Sequence, residues 1–313
     1  MEETQSEGSF ATVEGIRLHF VEQGSGSPVV LLHGFASSLD VWNGVMPQLA
    51  RRHRTVALDL RGFGSSDRSA GDYSPRGQAT LVWALLDQLG IREAALVGHS
   101  WGASVVLAMA LAAPERTSSI TLYSAWVYEE QLSWPFRWSR AGGVGEYLFR
   151  FNDEHSIRSQ LRLAFHDKKY VTRARVEEVA ARMAVPGARE AGLATMRAMH
   201  FSDQQRRYST LRMPSLVLWG MGDEISAPRF ANRLATDLHA RLVMFPACGH
   251  FPMVEAAEAS SAALVDFLGE SKRWNPLAWF RRRARGLHRR VGELRDRLRA
   301  RAEDESQEGV PGR

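Results

Sequence analysis

A single cysteine, Cys248, stands in a chain of 313 residues, so no internal disulfide can brace the fold. Stability must come from a buried core, and 44% hydrophobic residues over this length are enough for one α/β domain carrying an insertion. Also missing is any uncharged apolar run approaching the roughly 18 residues that span a bilayer. The opening stretch, Met1-Glu2-Glu3-Thr4-Gln5-Ser6-Glu7, lacks the basic and apolar regions of a secretory signal. Together with the lone cysteine, this favours a reducing cytoplasm. No Cys/His cluster has metal-ligand spacing, and no full G-x-G-x-x-G fingerprint of a nicotinamide or flavin site occurs. The nearest approach is Asp59-Leu60-Arg61-Gly62-Phe63-Gly64-Ser65-Ser66-Asp67, which has two glycines after an apolar run but no helix opening directly from it. It reads as a turn that buttresses a sheet edge. The chemistry is therefore expected to need neither metal nor cofactor.

Basic residues outnumber acidic ones heavily in one place. Residues 272–302 hold 12 Lys or Arg against Glu293 and Asp296, a net of +10. The last 11 residues carry −3, and the total is +5, which leaves −2 for residues 1–271. The body is close to neutral, and the basic character belongs to an appendage.

Within the body, apolar runs bounded by turn residues alternate with helical stretches, the pattern of a mainly parallel sheet covered on both faces. Strands are predicted at 16–21, 29–32, 55–58, 94–97, 120–123, 216–219 and 242–245, and helices at 40–50, 75–89, 103–112, 228–238 and 255–268. The alternation breaks once, over 126–211, where 12 aromatic residues raise the ring content to about 14% against 9% for the chain. This segment is expected to be a helical cap with an apolar face of its own. Most of its rings would form that cap's core, and a few, with Trp126, Trp134 and Trp138 as candidates, would line a pocket alongside Phe251. The domain reading is α/β core over 1–125 and 212–271, cap over 126–211, and a basic extension over 272–313.

The chemistry enters at Gly98-His99-Ser100-Trp101-Gly102, between the apolar run 94–97 and a small-residue helical stretch. A strand that turns sharply into a helix holds the turning residue at strained backbone angles, and the flanking glycines remove side chains that would collide. The serine hydroxyl is thereby presented at the sheet edge. The helix that follows directs its unpaired amides toward the place where a substrate oxygen gathers negative charge. A serine needs a base, and imidazole serves best near neutral pH. Ala247-Cys248-Gly249-His250-Phe251-Pro252 supplies His250 in a late loop after a predicted strand. An acid must orient that ring, and Asp223, in the loop after 216–219, is the candidate, with Glu224 the neighbouring alternative. The oxyanion donors are assigned to the amides of Trp101 and Phe35, the latter in the turn His33-Gly34-Phe35-Ala36. His33 is read as a structural ring tying loops together.

On these motifs, residues 16–270 resemble the α/β-hydrolase fold superfamily in its capped serine-hydrolase branch. The resemblance rests on His33-Gly34-Phe35, the segment 59–67, the pentapeptide 98–102, Gly220-Met221-Gly222-Asp223 with Pro228 after it, and Gly249-His250. It implies a mostly parallel central sheet with helices on both faces and a Ser-Asp-His order of catalytic residues. Similar proteins include carboxylesterases, lipases, thioesterases, lactonases and hydrolases of carbon–carbon bonds in ring-fission products. Related dehalogenases and epoxide hydrolases carry aspartate at the nucleophile position, from which Ser100 departs, although Trp101 beside it is like theirs. The expected function is cleavage of a small apolar carboxylic ester or thioester through an acyl-enzyme. Carbon–carbon hydrolysis with the same triad and a non-catalytic ligand receptor are the alternatives.

In the extension, Phe280, Ala284, Leu287, Val291, Leu294 and Leu298 recur in steps of four and three among ten arginines, led in by Trp274 and Trp279. A basic amphipathic helix of this kind suits an anionic membrane surface, which would make the protein peripheral at the inner face of the membrane. A short coiled coil and a solvated tail are the other readings. No nucleic acid is expected, since no recognition motif accompanies the arginines.

Overall fold

Aliphatic runs without alternation are buried on both faces once paired, and that is how the centre of the sheet forms. The computed structural model describes residues 8–132, 137–138, 143 and 153–271. Its strands are β1 (Ser9–Val13), β2 (Ile16–Gln23), β3 (Ser27–Leu32), β4 (His53–Leu58), β5 (Ala94–His99), β6 (Thr117–Tyr123), β7 (Ser215–Gly220) and β8 (Arg241–Phe245). They lie in the order β1-β2-β4-β3-β5-β6-β7-β8 in one sheet. The β1/β2 and β2/β4 pairs are antiparallel and all others parallel. Every residue of β5 and β7 is buried.

Successive side chains of a strand point to opposite faces, and here they feed two separate cores. Val30, Leu32, Val56, Leu58 and Leu96 pack on one face beneath α2 (Pro75–Gln88), α3 (Trp101–Ala112) and, further along, Phe230 and Leu234. Val29, Leu31, Ala57, Val97, Leu216 and Leu218 pack on the other, with Met46 and Leu49 of the short helix α1 (Met46–Ala50) and Leu264 and Phe267 from the chain's later helix. Seven strands fall where predicted. β1 was not predicted: as an antiparallel edge strand its burial runs from exposed Ser9 and Phe10 to a single fully buried residue, Val13, so no apolar run marks it. The predicted helix 40–50 is broken in two. Ser38 caps a 3-10 turn, Leu39–Trp42, and Pro47 sits in the first turn of α1, where its missing amide costs nothing.

Between β6 and β7 the chain forms the helical insert: α4 (Glu154–Ala164), α5 (Arg173–Ala184), α6 (Ala188–Ala198) and the short α7 (Ser202–Gln205). Asp153 and Thr172 cap α4 and α5 by accepting the amides of Ser156 and Arg175. An apolar face separate from the sheet was expected here. Instead Trp126, Tyr128, Phe201 and Tyr208 belong to the same buried cluster as β5 and α3. Beyond β7 come α8 (Arg229–Leu238), α9 (Pro252–Glu255) and α10 (Ala257–Ser271). No helix among the described residues is long and apolar enough to cross a membrane. Trp134 and the extension 272–313 lie outside the described residues.

Candidate active site

The sharpest backbone feature of the sheet edge is Ser100, with φ 51° and ψ −121° between β5 and α3. A side chain in that region is strained unless neighbours give room. A Cβ on Gly98 would stand 2.7 Å from the Gly102 carbonyl oxygen, and one on Gly102 would run into the backbone carbonyl of His33. Both positions therefore require glycine. The turn is then tied down: the Ser100 amide donates to the Tyr123 carbonyl at 2.9 Å, and its carbonyl accepts the amides of Ala103 and Trp126, each at 3.0 Å. Residues 101–110 of α3 are all buried, which fixes the helix behind the serine.

The loops after β7 and β8 reach the same edge. The hydroxyl of Ser100 lies 2.9 Å from His250 Nε2, and His250 Nδ1 lies 2.9 Å from Asp223 Oδ2 and 3.1 Å from its Oδ1. With Nδ1–H donating to the carboxylate, Nε2 carries the lone pair that accepts the serine proton. Asp223 Oδ1 also takes the amides of Ile225 (3.0 Å) and Ser226 (2.8 Å), so its orientation is set by its own loop. All three side chains are buried. Glu224, the alternative acid, is exposed.

His33 bridges the neighbouring loops as a neutral ring. The Leu60 amide donates to its Nε2 at 3.0 Å, and its Nδ1 donates to the Gly34 carbonyl at 2.7 Å. Burial holds its pKa below the ordinary value. Asp59 braces the same edge by accepting His19 Nδ1 and the amides of Leu39 and Ser65, all at 2.8 Å. Burial pushes its pKa up, but the His19 hydrogen bond and these amides together hold it below the usual carboxylate value. Gly34 comes so close that a Cβ there would stand 3.0 Å from the Ser100 Cβ, which brings Phe35 alongside the serine. Trp101 is fully buried and its ring meets Phe63 at 5.6 Å.

The candidate pocket residues fare differently. Trp126 is buried in the main core, its amide on Ser100. Trp138 is 52% exposed. Phe251 stacks on Phe165 of the insert at 4.9 Å and stands edge-on to His250 at 5.5 Å.

Two participants escaped sequence reasoning. His99, the first variable residue of the pentapeptide, is fully buried, donates from Nε2 to the His250 carbonyl at 2.9 Å, and packs its ring 4.9 Å from that of His250. Burial, reinforced by His250, drives its pKa well below normal, so it is neutral. The second is Glu255, whose carboxylate accepts the amides of Gly249 at 2.6 Å and Asp167 at 2.9 Å. Beside it, the His250 amide donates to the Ala164 carbonyl at 2.7 Å, so the histidine loop hangs from the end of α4. An imidazole at the end of a strand and a glutamate at the end of a one-turn helix carry no sequence signal for such contacts.

A hydroxyl, an imidazole and a carboxylate in line, under the amino end of a buried helix, can pass a proton and stabilise a developing oxyanion. Among the described residues no group of three or more His, Cys, Asp or Glu is placed to hold a metal ion.

A family model described as the alpha/beta hydrolase fold matches residues 27–257. The chain belongs to that family. It is 32% identical over 268 residues to the dihydrolipoyllysine-residue acetyltransferase component of the acetoin cleaving system of Pseudomonas putida, a match covering 82% of this chain and 68% of that one. It is 29% identical to the 2-hydroxymuconate semialdehyde hydrolase of a Pseudomonas species, over 82% of this chain and 92% of the relative. The solved structure of Cfl2 from Burkholderia cenocepacia superposes with a TM-score of 0.74 at 30% identity, covering 83% of this chain and 95% of the other.

Proposed function

We propose that the chain is a serine hydrolase that cleaves a carboxylic ester or thioester with an apolar part through an acyl-enzyme. The observation that carries this reading is the pair of 2.9 Å contacts running Asp223–His250–Ser100 at a strained elbow. In the forward step His250 removes the Ser100 proton as the oxygen bonds to the carbonyl carbon. The amides of Phe35 and Trp101 hold the resulting oxyanion, and the imidazolium returns its proton to the departing alcohol or thiol. Water then attacks the acyl-serine, His250 taking its proton and giving it back to Ser100 as the carboxylic acid leaves. Asp223 keeps the ring in the productive tautomer and stabilises its transient charge.

Labelling by a fluorophosphonate probe, abolished in Ser100→Ala at equal folded concentration, is the expected result, with loss of short-chain aryl ester turnover in parallel. Ester turnover unchanged in Ser100→Ala overturns the reading. An unlabelled wild-type serine favours a ligand receptor on the same fold. Carbon–carbon hydrolysis is the second reading, favoured by the similarity to 2-hydroxymuconate semialdehyde hydrolase over nearly all of that enzyme's length. Turnover of ring-fission diketones faster than aryl esters decides for it.

We further propose, from charge and patterning alone, that residues 272–302, with their net +10, bring the protein to an anionic membrane surface. The full chain is expected to float with anionic liposomes and a chain ending at Ser271 to remain behind. Equal flotation of the two removes this proposal.

A further inference from the structure

A small cleft, open to solvent, lies beside the oxyanion side of the candidate site, with Phe35, Phe63 and Met183 among its apolar walls. Its position follows from two contacts already described. Phe35 follows the glycine that abuts Ser100, and Phe63 touches the Trp101 ring. The charged side chains that line this cleft are all guanidinium groups, those of Arg68, Arg182 and Arg189, and no carboxylate lines it.

The three arginines are not equivalent. Arg182 is neutralised by Asp40 at 2.7 Å and Glu178 at 2.6 Å. Arg68 donates only to backbone carbonyls, those of Gly64 and Ser66, so its charge has no acidic partner among the described residues. Arg189, exposed in the first turn of α6, makes neither a hydrogen bond nor an ion pair among them. The cleft thus offers a greasy wall next to the reacting centre and two unneutralised cations beyond it. A neutral apolar substrate would use the wall and leave both cations idle. A substrate with a carboxylate or phosphate set back from its ester carbonyl would use both.

We propose that this cleft is an anion-selecting subsite, in which Arg68 and Arg189 hold a carboxylate or phosphate carried by the substrate at a distance from the scissile bond. The inference rests on the hydrolase reading above and narrows its substrate class from apolar esters to anionic ones. Arg68, pinned by its two carbonyls, supplies a fixed charge. Arg189 closes on the anion from the insert.

The test compares paired esters that differ in one charge. For an anion on the acyl side the pair is para-nitrophenyl pentanoate and para-nitrophenyl hemiglutarate. For one on the leaving side it is phenyl acetate and acetylated para-hydroxybenzoate. In at least one pair the anionic member is expected to have the higher kcat/KM, by about threefold to fivefold for a solvent-accessible charge contact. Raising the salt concentration shrinks that advantage. Arg189→Gln reduces it and Arg189→Glu reverses it, with the neutral ester changed far less than the anionic one, because Arg189 makes no hydrogen bond or ion pair among the described residues. Arg68→Met, checked for an unchanged melting temperature, acts in the same direction. No preference in either pair, or a preference that survives Arg189→Glu, overturns the subsite while leaving the hydrolase intact. Should no ester be cleaved, the hydrolase reading fails by itself, and calorimetry with glutarate then judges the subsite. Binding to wild type that is lost in Arg189→Glu supports it, and no binding to wild type overturns it.

Discussion

The sheet edge and the helical insert are built on opposite terms. Behind Ser100, residues 101–110 of α3 are all buried, whereas α5 buries only Val176 and α4 only Ile157 and Ala164. The groups proposed for bond breaking stand on a scaffold where each backbone angle is enforced by packing and hydrogen bonds. Of the groups proposed for choosing the substrate, Arg68 stands on the loop after β4 and Arg189 stands exposed on α6, the one insert helix that buries five residues. A rigid floor suits chemistry, which tolerates little displacement, and a lightly anchored roof can change its lining without unfolding the floor.

The largest expected effect separates the two regions by activity. Asp223→Asn keeps the shape of the site but lets the ring adopt the wrong tautomer, and kcat is expected to fall by about 10³ to 10⁴ with the fold intact. Val176→Ala in the insert, assayed on the same ester, is expected to change turnover little. Equal losses in the two variants would erase the distinction.

Next in size is stability. Leu96→Ala removes a fully buried side chain at the centre of β5 and is expected to cost about 3 kcal/mol or more in urea unfolding. Leu163→Ala on α4, where the side chain is 48% exposed, is expected to stay within about 0.5 kcal/mol. A smaller loss at Leu96 than at Leu163 would invert the picture.

The smallest effect is a pH dependence seated in the floor. His33 and His99 are buried neutral, with folded pKa values below the ordinary 6.5, so the unfolded chain takes up protons that the folded one refuses. Their contribution is complete above about 6.5 and is lost as pH falls from there toward the lowered values. Melting temperature against pH is expected to decline on the acid side, less steeply in His99→Gln. An unchanged slope in that variant would show that His99 does not carry the effect.

How legible these regions were follows the same division. Buried strands such as β5 and β7 are long apolar runs that meet a glycine at the sheet edge, and such runs can be read without coordinates. The elbow was equally plain, because a serine flanked by glycines at a strand–helix junction marks a sharp turn that holds its hydroxyl outward. The late loops could be ranked by their position after strands, and the structure brings both Ser100 and Asp223 within hydrogen-bond reach of His250. The insert was harder. Its rings announced burial but not their partners, and Tyr128, Phe201 and Tyr208 went to the common core. β1 escaped because an exposed edge strand needs few apolar residues, and the predicted helix 40–50 was drawn too long because Ser38 and Pro47 each start a new turn. Contacts through backbone carbonyls, such as His99 to His250 and His250 to Ala164, leave no trace in side-chain chemistry and had to be seen.

The amide of His250 hangs on the last turn of α4, and Glu255 staples the adjoining residues on either side of that joint. Refitting the insert for a bulkier guest therefore tugs at His250 itself. Under the proposed function, taste and speed share a hinge pin, and redesign of one will register in the other.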